Sequence, residues 1–190
     1  MDSDFFLIRR MKGGDEQAIE LFVRKYYDDI LNYCYRHMGR REDAQDVAQE
    51  TFERFFRGFS QYEHHGKAKN YLYVIAGNLC KNYYRARERT PEGRLDAREL
   101  SQDGSSEPKD PGKSPMDTVE TRMDVVRALE ALPEEFREVA ILYYYQELKQ
   151  KEISEILNIG LPLVKYRAAR AKELLRQMLE EEDHGKRKEI

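Results

Sequence analysis

Cysteine is scarce in this chain: two residues in 190, Cys34 and Cys80. A single pair cannot build the disulfide framework of a small secreted scaffold. Each stands inside an apolar helical stripe, where a thiol packs as a small hydrophobe, so both are expected to be buried and reduced. Long apolar runs are missing too. No stretch approaches ~18 consecutive apolar residues and the N-terminus carries no signal-peptide pattern, so the expectation is a cytoplasmic chain with no direct membrane insertion. There is no phosphate-cradling glycine loop, no nucleophile elbow and no metal-ligand spacing, which speaks against an enzyme and leaves no cofactor or metal to assign. The adjacent His64 and His65 do not change this, because neighbouring side chains rarely converge on one ion and no nearby cysteine completes a set.

A surplus of positive charge is also lacking. The net charge is −3, which argues against a protein that grips nucleic acid through a generally basic surface. The distribution is more informative than the total. From Lys67 to Arg89 there are six basic residues against Glu88 alone, and from Leu161 to Met178 there are five against Glu173 alone. Two cationic helices are thus set in a body that a phosphate backbone would repel.

What is present is helical periodicity in two blocks. Ile19, Phe22, Tyr26, Ile30, Tyr33 and Cys34 share one face of a helix that Asp15 can cap and Gly39 can end. A second stripe, Ala44, Val47, Ala48, Thr51, Phe52, Phe55 and Phe59, leaves Asp46, Gln49, Glu50 and Glu53 on an acidic opposite face. A third, Leu72, Ile75, Ala76, Leu79, Cys80 and Tyr83, leaves Tyr71, Val74, Asn78, Lys81, Asn82 and Arg85 outward. From Thr90 to about Ser114 the pattern dissolves into proline, glycine and serine. So long a structureless stretch belongs between domains rather than inside one. Periodicity resumes with Val119, Met123, Val126 and Leu129, and passes Leu132-Pro133 into a helix carrying Phe136, Val139, Ala140 and Tyr143. A short helix with Ile153, Ile156 and Leu157 follows, then a turn at Asn158-Ile159-Gly160. The last helix is expected to hold Leu161, Val164, Ala168, Ala171, Leu175 and Met178 inward. Tyr143, Tyr144 and Tyr145 read as packing residues, and the charged end from Glu180 to Lys188 as a solvated tail. The fold class is all-α: two small helical domains at 1–89 and 116–179, a flexible linker at 90–115 and a tail at 180–190.

Residues 147–176 have the form of a helix-turn-helix, in which a short helix braces a basic one whose N-terminal residues can enter a major groove. The flanking sequence makes the likeness specific. Leu132-Pro133-Glu134-Glu135-Phe136-Arg137-Glu138-Val139, Glu152-Ile153-Ser154-Glu155-Ile156-Leu157 and Val164-Lys165-Tyr166-Arg167-Ala168-Ala169-Arg170-Ala171 resemble region four of bacterial sigma factors. Ala44-Gln45-Asp46-Val47-Ala48-Gln49-Glu50-Thr51-Phe52 resembles region 2.2, and Tyr71-Leu72-Tyr73-Val74-Ile75-Ala76-Gly77-Asn78 the helix after the promoter-reading loop. Their order and the linker between them are similar to the extracytoplasmic-function group, which keeps regions two and four only.

The resemblance implies a promoter-specificity subunit with three sets of site residues. Asp46, Gln49, Glu50 and Glu53 would dock on the clamp helices of the largest subunit of core RNA polymerase. Tyr62, His64, His65, Lys67, Lys69, Tyr71, Asn78 and Arg85 would capture and melt the minus-ten element. Lys165, Tyr166, Ala169 and Arg170 would face the minus-thirty-five element while Arg167 holds backbone, with Lys165 and Arg170 as the favoured base readers. An anti-sigma factor is the further partner implied. The chain departs from the family at Tyr71, where a Trp is usual; at Gly77, where an Arg commonly precedes the Asn; and at Pro162-Leu163, Tyr166 and Ala169 in the recognition helix. Tyrosine is a smaller platform that still stacks on an unpaired base, and Gly77 loosens its helix. The competing reading is a stand-alone helix-turn-helix regulator, which would not need the acidic docking face and which the net charge disfavours.

Overall fold

Local capping chemistry sets the first boundaries. In the computed structural model, which describes residues 3–64, 66–89 and 119–186, the Asp15 carboxylate accepts a hydrogen bond from the Ala18 amide at 3.1 Å and starts helix α2 (Glu16–Met38). Gly39 ends that helix in the left-handed region at φ 70°, a conformation open to glycine at little steric cost. Both ends agree with the sequence reading. A preceding helix, α1 (Ser3–Lys12), was not expected. It buries Ile8 and Met11, and its buried Asp4 accepts a hydrogen bond from Tyr26 and pairs with Lys25 at 2.5 Å.

Helix α3 (Arg41–Arg57) packs its stripe of Ala44, Val47, Ala48, Thr51, Phe52 and Phe55 toward α2, with Phe22 stacked on Phe55 at 4.9 Å. A 3-10 turn (Phe59–Gln61) leads through the loop into α4 (Ala68–Arg89), which closes the bundle by burying Leu72, Ala76, Leu79 and Cys80. Cys34 and Cys80 are free and buried, as expected.

The second unit starts with α5 (Val119–Ala131). At Leu132-Pro133 the Arg137 guanidinium donates to the carbonyls of Glu130, at 2.6 Å, and Leu132, at 2.9 Å, satisfying acceptors that the broken helix leaves open. Helix α6 (Glu134–Ala140) then widens into a π-turn (Ile141–Tyr145) before α7 (Gln150–Leu157). Asn158, at φ 51°, turns the chain into α8 (Leu161–Lys186), and Ser154 locks the corner by donating its hydroxyl to the Ile159 carbonyl at 2.5 Å. Val164, Ala168 and Ala171 are buried on the inner side of α8, with Leu175 and Met178 half-buried. Leu161 departs from the sequence reading: it is 37% exposed, because the first residue of α8 projects beyond the bracing helix.

Eight α-helices and no strand occur among the described residues. The expected linker at 90–115 lies outside them, as does the very end of the tail. The two units are in contact: α2 meets α5 and the π-turn, and α4 meets α7. Tyr73 donates its hydroxyl to Gln146 at 2.6 Å, the Arg36 guanidinium lies over the Tyr145 ring at 4.5 Å, and Lys67 pairs with Glu155 at 2.6 Å.

Candidate polymerase and nucleic-acid interfaces

The apolar stripe of α3 turns its other side to solvent, exposing Asp46, Gln49 and Glu53 and leaving Glu50 half-exposed. Gln49 donates to Glu53 at 2.9 Å, and Arg54 binds Glu50 at 2.6 Å. These i,i+4 contacts hold side chains upright without spending much of their charge in water. At the start of the helix the Asp43 carboxylate accepts a hydrogen bond from Tyr83 at 2.5 Å; burial and that carboxylate push the Tyr83 phenol up to about 12. This ties α4 to α3 and fixes the angle between the acidic face and the cationic one.

The second set gathers where the 3-10 turn meets the first turns of α4. Tyr62 stacks on Tyr71 at 5.4 Å and on Phe59 at 6.1 Å, with Phe55 beneath Tyr71 at 6.1 Å. The Tyr62 hydroxyl lies 3.1 Å from His64 Nδ1. Tyr71 is 44% exposed, and a cleft of about 550 Å³ opens beside it, lined by Tyr62, Lys67 and Asn70 on one side and by Glu155 and Ile156 of α7 on the other. Lys69 lies near but points elsewhere, pairing with Asp29 at 2.6 Å and approaching the Tyr73 ring. Seven and fourteen residues beyond Tyr71, two and four turns on, Asn78 and Arg85 are exposed along α4. His65 lies outside the described residues. Val74 and Lys81, read from sequence as part of this open face, are half-covered instead, because the second unit rests on them.

In the helix-turn-helix, α7 braces α8 as its pattern requires. Lys165, Tyr166, Ala169 and Arg170 are exposed on the first turns of α8, with Tyr166 at 59%. Arg167 lies toward α6, pairing with Glu135 at 3.0 Å with only 20% of its side chain accessible. The Tyr144 hydroxyl donates to the Ala168 carbonyl at 3.1 Å, consistent with a packing role for that tyrosine.

One cluster was not legible from sequence. Glu138, buried on α6 of the second unit, accepts a hydrogen bond from the hydroxyl of Tyr33 on α2 and lies 3.8 Å from the ammonium of Lys81 on α4. Burial, with the neighbouring carboxylate, holds the Tyr33 phenol well above its usual range. His37 packs edge-on against Tyr33 at 4.6 Å, and burial drives its imidazole down to about 4 despite the opposing pull of Glu138. The signal that pointed here was Gly77. A Cβ at that position would sit 3.0 Å from both the Glu138 carboxylate and the Tyr33 hydroxyl, so the glycine marks a close approach rather than only a looser helix.

Among the described residues no helix is long and apolar enough to cross a membrane, and no group of three metal-ligating side chains converges.

The comparisons with known proteins follow the same division of the chain. Sigma-70 region 2 matches residues 22–90, and Sigma-70 region 4 matches residues 122–175. The chain is 35% identical over 178 residues to the ECF RNA polymerase sigma factor SigW of Bacillus subtilis, covering 90% of this chain and 94% of that protein. It is 28% identical over 177 residues to the ECF RNA polymerase sigma-E factor of Escherichia coli, covering 91% and 92%. Among solved structures, CnrH in complex with the cytosolic domain of CnrY aligns with a TM-score of 0.69 at 22% identity, covering 94% of this chain and 98% of that one. The sigma factor RpoE in complex with the anti-sigma factor NepR, from Bartonella quintana, aligns with a TM-score of 0.63 at 19% identity, covering 85% and 96%. These two show the same fold. With both regions matched in order and a relative above 30% identity over nearly its whole length, the chain belongs to the extracytoplasmic-function sigma factors of bacterial RNA polymerase.

Proposed function

We propose that this sigma factor divides its work among three surfaces. The unit at 1–89 docks on core RNA polymerase through Asp46, Gln49, Glu50 and Glu53, an acidic face suited to a basic partner. The same unit opens and reads the minus-ten element with Tyr62, Tyr71, His64, His65, Lys67, Lys69, Asn78 and Arg85. Stacking aromatics offset the few kcal/mol that flipping a base costs, while cations follow the backbone. The unit at 116–179 reads the minus-thirty-five element with Lys165, Tyr166, Ala169 and Arg170. Arg167, already turned toward Glu135, serves a backbone phosphate or the fold. The segment at 90–115 links the two units and 180–190 is a tail. The chain catalyses no reaction of its own, acts in the cytoplasm beside the polymerase, and is held in reserve by an anti-sigma factor.

The observation that carries this reading is the separation of charge. An exposed acidic face on α3, the partly covered cations of α4 and the exposed cations of α8 occupy different surfaces of a chain whose net charge is −3. Such a chain needs the polymerase to bring it to DNA. The test is copurification and gel shift with promoter duplex. The chain should elute with core polymerase and shift the duplex only in its presence. A chain that shifts duplex alone, and elutes apart from the polymerase, is a free-standing regulator.

A further inference from the structure

We propose that an apolar ridge at the start of α8, Leu163 with Tyr166, reads two neighbouring thymines of the minus-thirty-five element through their C5 methyl groups. The inference rests on the reading of α8 as the minus-thirty-five recognition helix. Three of the eight large hydrophobic side chains exposed among the described residues stand within its first six positions: Leu161, Leu163 at 39% and Tyr166. Single exposed apolar side chains are ordinary, but a cluster of them on a surface assigned to a ligand calls for an apolar partner. Pro162-Leu163 and Tyr166 are also places where the chain departs from its family, so the ridge is a feature of this chain.

The backbone beneath the ridge is poorly suited to phosphate. Free amides at the start of a helix ordinarily favour an anion. Here Pro162 has no N–H, and the amides of Leu163 and Val164 both donate to the Gly160 carbonyl, at 3.0 and 3.1 Å. Three of the first four residues of α8 therefore have no amide to offer the DNA backbone. The cations Lys165 and Arg170 stand exposed beside the ridge, so the apolar side chains are carried into a site that attracts DNA. The tip of the helix fits the floor of a groove better than its phosphate rim.

In the major groove the apolar mark of a base pair is the thymine methyl, which cytosine lacks. Leu163 and Tyr166 share one face of α8, three residues and about 4.5 Å apart along its axis. The base-pair rise is about 3.4 Å, so the two side chains meet neighbouring pairs. Phe136 packs against the edge of the Tyr166 ring at 6.4 Å, which sets its direction without covering it. Arg170 lies one turn beyond Tyr166 and Lys165 beside it, which leaves the guanine contacts assigned to these two residues undisturbed.

The test uses holoenzyme reconstituted from the full chain and core polymerase. It first selects promoter duplexes from a pool randomised across the minus-thirty-five element. The selected duplex is then remade with deoxyuridine in place of each thymine in turn, which removes one methyl and leaves every hydrogen-bonding group of the base. Expected are two adjacent positions at which deoxyuridine weakens holoenzyme binding, measured by fluorescence anisotropy, about fourfold each, as for one methyl-sized group left in water. Leu163→Ser should bind the thymine and deoxyuridine duplexes equally at one of these positions, and Tyr166→Ser at the other. Both side chains are exposed, and far-UV circular dichroism checks that helix content is kept. Equal binding of thymine and deoxyuridine duplexes by the wild type overturns the methyl contact. So does a penalty that persists in both variants, which assigns it to duplex shape or to another side chain. A Leu163→Ser chain that no longer copurifies with core polymerase overturns it as well, because the ridge then docks on protein. Lys165→Ala, taken through the same selection, tests the helix separately. An altered selected sequence, with no deoxyuridine penalty in the wild type, removes the ridge and leaves the assignment of α8 standing; selected sequences unchanged in all three variants remove both.

Discussion

Tyr62 lies over Tyr71 with ring centroids 5.4 Å apart and planes 27° from parallel. One ring comes from the loop after the 3-10 turn and the other from the first turn of α4, so the pair joins the two segments assigned to the melted strand. An unpaired base can extend this stack, at about 1–3 kcal/mol for each base. Tyr71→Ala should therefore reduce open complex more than closed complex. Permanganate reactivity of unpaired thymines checks this on a normal duplex and on a template mismatched across the minus-ten region. Rescue by the mismatch assigns Tyr71 to melting, an equal defect on both assigns it to base capture, and full activity on both rejects the assignment.

Reversing the charge of Asp46 and Glu50 should abolish association with core polymerase and leave the fold intact. Neither side chain belongs to the buried stripe of α3. Reversal at Glu50 breaks its surface ion pair with Arg54, and an exposed i,i+4 pair of this kind is worth only about 0.3–0.5 kcal/mol. Circular dichroism and thermal melting should match the wild type. Copurification at wild-type yield would show that the polymerase binds another surface.

Lys165→Ala and Arg170→Ala should weaken promoter use according to the upstream sequence. A bidentate contact to guanine is worth about 1–3 kcal/mol of discrimination, whereas a phosphate contact costs the same on every template. Transcription from promoters altered base by base in the minus-thirty-five element separates the two. Uniform loss across those templates would move both residues to backbone contact.

His37 supplies a pH dependence with a definite sign. Its imidazole has an ordinary value of 6.5 and is driven to about 4 by burial. Below the ordinary value the unfolded chain therefore takes up a proton that the folded chain refuses. The stability at stake is fully present above about pH 6.5 and is lost as pH falls toward 4. Lowering the pH from about 7 to about 5 should cost the wild type about 2 kcal/mol that His37→Leu does not lose. Urea denaturation midpoints at the two pH values, for both chains, measure this; parallel losses would show that His37 is not the group responsible.

Local features were legible in the sequence to the extent that local chemistry decides them. The Asp15 cap, the Gly39 stop, the Asn158 turn and the acidic side of α3 all follow from spacing and residue type within a few turns. Helix α1 was missed because Phe5, Phe6, Leu7 and Ile8 form a continuous apolar run rather than a periodic one, and Phe5 and Phe6 stay exposed. The contact between the units was missed for a different reason. Tyr33 and Glu138 are 105 residues apart, and nothing within either helix distinguishes a glutamate that will meet a tyrosine from one that will meet water. Gly77 was the trace it left, since a glycine in mid-helix calls for a neighbour that needs the space. Lys81 and Val74 were assigned to an open face for the same reason, because the periodicity of α4 defines its sides and not what lies against them.

This chain confers promoter recognition on core RNA polymerase. Run-off transcription with purified core polymerase over genomic templates, with start sites mapped, tests it directly. The expected result is a set of start sites that appear only when the chain is added and that share a paired minus-ten and minus-thirty-five sequence, with the charge-reversed Asp46/Glu50 chain inactive. Start sites identical with and without the chain, alongside duplex binding by the chain alone, would contradict it.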